Sequence, residues 1–329
     1  MIVDAHAHVI PPEILRAPVR PGQSPAPGDE WRPLRVDAPG AAMSILEVGG
    51  ARMPNVMHEF VEVDGILATL ADLGVEAVVL APHVGLFRYG APADQGLASS
   101  QLQNDAIAAI AHRHPGRVAG LGTLPMQDPA LAIGELERIV GAGLKGVEVG
   151  ANVGGVFLGD HRFRPVWEAC QALDAVVFVH PLGMPNLREH YMTNVVGNPM
   201  DTAIAAAHLV LSGTIEAFPR LRVLLAHGGG VLPTLRGRLD HGARVRPEID
   251  LPRPPSEYLR RFYYDTITHD PTLLRQLVDL AGADHVLLGS DYPFDMGTDD
   301  AVGEVRAARL GAEAEALVLG GSAARLFGL

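Results

Sequence analysis

The stretch "IVDAHAHVI", residues 2–10, reads as a core β-strand that carries two imidazoles. Residues i and i+2 of a strand project from one face, so His6 and His8 stand side by side. Neighbouring imidazoles are poor apolar packing material, because every buried ring nitrogen needs a partner. A single divalent ion would satisfy one nitrogen of each ring. Two separately hydrogen-bonded histidines are the alternative for this pair taken alone, so the rest of the chain decides.

Seven more runs are short, β-branched and nearly unbroken in apolar character, at 75–82, 118–125, 144–151, 175–181, 221–227, 262–268 and 286–292. Such runs signal a parallel sheet covered on both faces. Helical spacing fills most of the intervals, at 66–73, 97–112, 129–142, 164–173, 199–218, 271–281 and 300–310. Asp128-Pro129 and Asp270-Pro271 are helix-start signals. Eight such alternations predict an α/β fold, a (β/α)8 TIM barrel, with 1–329 as a single domain. Residues 11–60 break the rhythm with proline and glycine. Two short strands expected at 32–36 and 43–48 would make this stretch a small flap inserted after the first strand, with a mobile loop as the alternative. The proline-rich arm at 242–258 suits a surface or a subunit contact.

A chain of 329 residues, 48% hydrophobic and 19% charged, fits one such barrel. The net charge of −12 argues against a nucleic-acid or anionic-membrane partner, where Lys and Arg dominate. It leaves room for a small anionic substrate, since a metal and a few arginines reverse the sign locally. Cys170 is the only cysteine, so neither an intrachain disulfide nor a thiolate cluster is expected. The chain enters a strand without a signal-peptide pattern, and the apolar stretch 203–215 is too short to span a bilayer. A cytoplasmic protein is the expectation.

Chemistry in such a barrel sits at the carboxyl ends of the strands. There the sequence places His6 and His8 on strand one, Glu148 on strand four, His180 on strand five and His227 on strand six. Strand seven adds Asp265, Thr266 and His269, and strand eight Asp291. Four histidines and an aspartate at one rim point to a divalent metal, most simply Zn2+, with Mn2+ or Co2+ as alternatives. His6, His8 and His180 would ligate as neutral imidazoles. Asp291 would ligate or take a proton from bound water, whose pKa such an ion lowers to ~7. His227, followed by three glycines, suits general acid–base work, because imidazole titrates near neutral pH.

These residues carry a resemblance. "DAHAH" (4–8), "FVHP" (178–181), "LLAHGGG" (224–230) and "GSDYPF" (289–294) resemble, in order, the motifs of the amidohydrolase superfamily. The likeness is to its 2-amino-3-carboxymuconate-6-semialdehyde decarboxylase branch. "GLGTLPMQDP", "AFPRLRVLLAHGGG" and "GRLDHG" match as well. The resemblance implies metal-dependent, non-oxidative decarboxylation of a small unsaturated or aromatic carboxylate. Hydrolysis or hydration of a C–C, ester, lactone or amide bond is the alternative on the same scaffold. No redox cofactor is implied, and Lys145, the only lysine, lies in a strand, which nearly rules out a lysine Schiff base elsewhere. By the same resemblance, Arg238 within "GRLDHG" reaches the substrate of a neighbouring subunit, which implies a homodimer. Arg52 in the inserted region is the looser match for a second carboxylate-binding arginine. The chain departs from the branch in Leu182-Gly183, where the decarboxylase has a pocket tryptophan. It departs again in "APHVGLFRYG" (81–90), which brings His83 and Arg88 near the mouth. His83 reads as a capped surface histidine or a substrate contact.

Overall fold

The structure, a computed structural model, describes residues 1–15, 31–37, 43–48, 51–184, 187 and 189–329, the side chains of 37, 48, 51, 52, 54 and 55 excepted. Eight strands form the frame: β1 (Val3–Val9), β2 (Ala77–Pro82), β3 (Val118–Gly120), β4 (Gly146–Gly150), β5 (Val176–His180), β6 (Arg222–Leu225), β7 (Tyr263–Asp265) and β8 (Val286–Leu287). A helix follows each: α1 (Val63–Asp72), α2 (Ala93–Arg113), α3 (Pro129–Gly141), α4 (Arg164–Ala172), α5 (Asn198–Leu211), α6 (Leu232–Val245), α7 (Pro271–Ala281) and α8 (Ala301–Ala307).

All pairings between neighbouring barrel strands are parallel. Two regular sheets, β1-β2-β3 and β4-β5-β6-β7-β8, meet at both edges. Gly122 bridges to Val147 on one side and Ala7 to Tyr292 on the other. Backbone bonds reinforce the second seam, from Ala5 N to Leu288 O and from Asp291 N to His6 O, each 2.8 Å. The ring is thereby closed, as the alternating sequence pattern predicts.

Strand alternation sorts the core into two layers. Ala77, Val79, Val176, Phe178, Leu224 and Leu287 fill the barrel interior, which Phe327 closes from below. Val78, Leu80, Val147, Val177, Val179 and Val223 face the helices. Asp128 and Asp270 cap α3 and α7, each accepting two backbone N–H groups. Such caps contribute about 1 kcal/mol apiece.

β1 is the exception that builds the site. Its register against β2 shifts between Asp4 and Ala7. Val3 and Ala5 pack into the barrel interior, whereas Ala7 and Val9 pack against the outer layer. The bulge therefore changes which positions face inward and re-aims His6 and His8 together. Buried Asp4 pins it by accepting from His6 N and Ser290 N at 3.0 and 3.1 Å.

The predicted strands at 32–36 and 43–48 correspond to Leu34–Asp37 and Met43–Val48, which pair antiparallel with a third, Ala51–Met57. Leu46 and Val56 pack on Ile10, Ile14, Phe60 and Leu86 beside the ends of β1 and β2. The rest of the predicted insertion, at 16–30, 38–42 and 49–50, lies outside the described residues. Among the described residues no helix is long and apolar enough to cross a membrane.

Candidate active site

Three imidazoles and a carboxylate converge at the carboxyl end of the barrel. His6, His8, His180 and Asp291 are all buried, and each offers one ligand atom within 4.8 Å of the others. The second nitrogen of each ring decides how the rings are presented. His6 Nδ1 lies 2.7 Å from Asp265 Oδ2. His8 Nδ1 faces the Pro82 carbonyl at 3.4 Å, and His180 Nδ1 the Pro181 carbonyl at 3.0 Å. Carboxylates and carbonyls only accept, so each Nδ1 carries the proton. Each Nε2 then turns a lone pair inward.

Those lone pairs crowd one point. His6 Nε2 and His8 Nε2 are 3.0 Å apart, and each is 3.1 Å from Asp291 Oδ1. His180 Nε2 is buried without a hydrogen-bond partner. Acceptors packed this way require a cation among them. Three nitrogens and an oxygen are the donor set of a divalent first-row ion, so the residues fit the metal that the sequence implies.

The electrostatics agree. Burial opposes charge on His6, but Asp291 and Asp265 outweigh it and lift the ring to about 10. Burial holds His180 well below the usual imidazole range, and the charges of His8, His227 and His6 add to it. Burial also lowers His8. For Asp291 burial favours the acid, yet His6, His227 and His8 keep its carboxyl well below the usual range.

His227 is set differently. It leaves the β6 ladder with φ 55°, and its Nε2 lies 3.3 Å from Asp291 Oδ2. Its own N–H donates to Asp265 Oδ2 at 2.8 Å, and the Gly228 N–H to Asp265 Oδ1 at 2.7 Å. Asp265 thus ties β1, β6 and β7 together. The glycines after His227 serve a tight approach of backbone rather than of ligand alone. A Cβ on Gly230, at φ 59°, would lie 2.0 Å from Pro199 O at the start of α5.

Glu148 is fully buried on β4, its nearer oxygen 3.8 Å from His8 Nδ1, and burial pushes its carboxyl well above the usual range. His83 is capped but not at the surface. Its Nδ1 accepts from Gly85 N at 3.0 Å, and its ring is buried against Phe60 and Phe294.

A cavity of about 660 Å³ opens above the cluster. His180, His227 and Asp291 lie along it, with Leu182, Val231, Ile267, Leu277 and Phe294 among its apolar walls. Arg236 and His269 also line it, whereas His83, Arg88 and Arg238 do not. Arg238 is exposed on α6 two residues beyond Arg236. Two residues apart on a helix are about 200° apart in direction, so the two side chains cannot share a face. Arg52 lies in the strand Ala51–Met57, and its side chain is outside the described residues.

Sequence reasoning missed Arg236 and the tying role of Asp265. The helical offset from Arg238 was the only signal for the first.

Residues 3–329 match the amidohydrolase family. The 2-amino-3-carboxymuconate-6-semialdehyde decarboxylase of Dictyostelium discoideum is 38% identical over 230 residues, which cover 68% of this chain and 64% of that protein. The crystal structure of a 5-carboxyvanillate decarboxylase from Sphingomonas paucimobilis is similar at a TM-score of 0.77 and 30% identity, covering 82% of this chain and 84% of that one. A dihydroxybenzoic acid decarboxylase from Polaromonas, solved with bound manganese and 2-nitroresorcinol, is similar at 0.74 and 26%, covering 81% and 86%.

Proposed function

The chain belongs to the amidohydrolase family, and on that premise we propose that it is a metal-dependent, non-oxidative decarboxylase of a small unsaturated or aromatic carboxylate. The observation that carries the reading is the convergence of three Nδ1-protonated imidazoles and Asp291 on one point beside His227. The names of the relatives, each a decarboxylase, supply the reaction class.

His6, His8, His180 and Asp291 hold the ion. The donor set suits Zn2+, the Polaromonas relative contains manganese, and cobalt shares the same preferences. When bound, the ion supplies Lewis acidity next to the substrate carboxylate. The chain's own residues do the rest. Asp265 fixes the His6 ring and the backbone of His227. The apolar walls hold the conjugated part of the substrate and exclude water.

His227 hands a proton to the carboxylate-bearing carbon, which becomes tetrahedral. The C–C bond then breaks, its electron pair returns to the conjugated system, and CO2 leaves. Asp291 Oδ2, 3.3 Å from His227 Nε2, is the group with which the ring exchanges its proton. Arg238 faces away from its own cavity and serves the neighbouring site of a homodimer.

The test is metal analysis together with CO2 release from a panel of unsaturated and aromatic carboxylates. About one divalent ion per chain, with CO2 released from at least one acid, is the expected result. Turnover of lactones or esters without CO2 from any acid would replace this reading with a hydrolase.

A further inference from the structure

We propose that Asn198 is a specificity-determining residue, whose side-chain amide reads a neutral hydroxyl on the substrate at a position away from the reacting carboxylate. The substrate side of this rests on the decarboxylase reading above.

Asn198 opens α5, and two loops hold that end of the helix in place. Buried Asp201, one turn on, accepts the Leu182 N–H at 2.9 Å, which ties α5 to the segment leaving His180. The Val231 N–H donates to Pro199 O at 3.4 Å, which ties it to the segment leaving His227. The amide lies against the first of these segments. A Cβ on Gly183, three residues past His180, would be 3.6 Å from Asn198 Oδ1. Asn198 is half-buried, whereas His180 and Asp291 on the cavity floor are 4% and 3% exposed. The amide therefore stands above the floor, beside a part of the substrate other than the carboxylate held beneath.

The amide is uncommitted. Asn198 lines the cavity, yet its side chain makes no hydrogen bond with another described residue. Its half-buried polar neighbours in the wall are all engaged. Thr193 Oγ1 donates to Leu187 O at 2.7 Å, and Thr268 Oγ1 to Asp270 O at 3.0 Å. Asn194 Nδ2 donates to the Tyr191 hydroxyl, which itself donates to Asp295 Oδ1 at 2.6 Å. Outside the metal cluster and His227, the other polar residues of the lining are Thr234, Arg236, His269 and Gln276, all exposed. The fold does not use the amide either, since no side chain caps the start of α5.

The chemistry of an amide fixes the class of group it meets. It offers an acceptor oxygen and an NH2 donor without charge, so it matches a hydroxyl, which both donates and accepts. An analogue that lacks the hydroxyl leaves the amide unpaired, and that loss is what discriminates.

The experiment is calorimetric binding to the protein carrying its purified metal, wild type against Asn198→Leu and Asn198→Ala. The probes are 3- and 4-hydroxybenzoate, each beside the methylbenzoate with the same substitution, because hydroxyl and methyl are close in size. The 2-isomers are left out, since a hydroxyl next to the carboxylate could reach the metal itself. For at least one position the hydroxy-to-methyl affinity ratio should fall about three- to tenfold in both variants, the worth of one hydrogen bond. A merely structural role would weaken both members of a pair alike and leave the ratio unchanged. An unchanged ratio at both positions would overturn the assignment, and so would wild type that binds none of the four acids. Binding is read without turnover. A ratio that falls while no acid releases CO2 would therefore sink the decarboxylase reading alone.

Discussion

Asp265 Oδ2 accepts a 2.7 Å hydrogen bond from His6 Nδ1 and, on the same oxygen, the backbone N–H of His227 at 2.8 Å. One carboxylate therefore sets both a ring of the proposed metal site and the backbone of the proposed proton donor. Asp265→Asn would put an NH2 group where all four neighbours are donors, since Gly228 N and Ile267 N occupy the other oxygen. The variant should fold, with stability lower by about 1–3 kcal/mol. Its metal affinity should fall about 10- to 100-fold, the usual cost of losing an outer-shell partner. Chelator competition beside a thermal melt measures both. Wild-type metal affinity would deny Asp265 its orienting role.

In the proposed site, metal and proton would compete for one place. Asp291 and Asp265 outweigh burial and lift His6 to about 10, so below that pH the metal-free cluster carries a proton that the ion must displace. Apparent affinity should rise about tenfold per pH unit through the neutral range, with about one proton released per ion. Because the folded pKa is raised, the charged ring stabilises metal-free protein fully below ~6.5. That contribution is lost as pH rises through about 10. Competition titrations at several pH values give the slope, and a flat profile would place the displaced proton elsewhere.

The barrel was legible because parallel strands buried on both faces need unbroken apolar runs, and eight such runs separated by helices admit few other folds. The ladders are shorter than those runs. β6 ends at Leu225 and β8 at Leu287, while the apolar sequence continues to the site. His227 and Asp291 sit past the ladders at φ 55° and 59°, where the backbone has already turned away from the sheet. The pairing of His6 with His8 could be read from their spacing. The bulge that aims them could not, since it depends on Ser290 reaching Asp4 across 286 positions. Asp265 was visible as a strand-end acid, but its role emerges only when β1, β6 and β7 meet. Arg236 stayed hidden because nothing in the sequence says which face of α6 turns to the cavity.

His83 gives a second pH signature, of opposite sign. Burial, with the charge of His8 adding to it, lowers the ring to about 3. A folded pKa below the unfolded value means stability is lost as pH falls from ~6.5 towards 3, because the unfolded chain takes up the proton. The full effect approaches about 5 kcal/mol below pH ~3, at ~1.4 kcal/mol per unit. His83→Asn keeps an acceptor for Gly85 N and removes the titration. Denaturant melts across that range should show a flatter acid limb for the variant. An unchanged limb would assign the acid loss to other groups.

His227 stands beside the proposed metal ligands rather than among them, since its Nε2 meets the second oxygen of Asp291. His227→Asn should therefore keep its metal. It should lose about a hundredfold to ten-thousandfold in kcat for CO2 release, the range of general acid–base catalysis. Metal content and turnover measured on one preparation separate the two roles. A variant that loses the ion would make His227 a ligand, and one that keeps its rate would move proton transfer elsewhere.

Arg238 tests the assembly. It lies exposed on α6, about 200° around the helix from Arg236, and the proposed homodimer would bring it to the neighbouring cavity. Arg238→Ala should fold normally and raise KM, yet its own His227 remains intact. Mixed with His227→Asn chains, it should form hybrid dimers in which one of the two sites has both a working histidine and a working arginine. Random pairing makes about half the dimers hybrid, so about a quarter of wild-type activity should return from two nearly inactive parents. Sedimentation of the same mixture fixes the dimer fraction to which that recovery is compared. Dimers that form without any recovery would confine Arg238 to its own subunit.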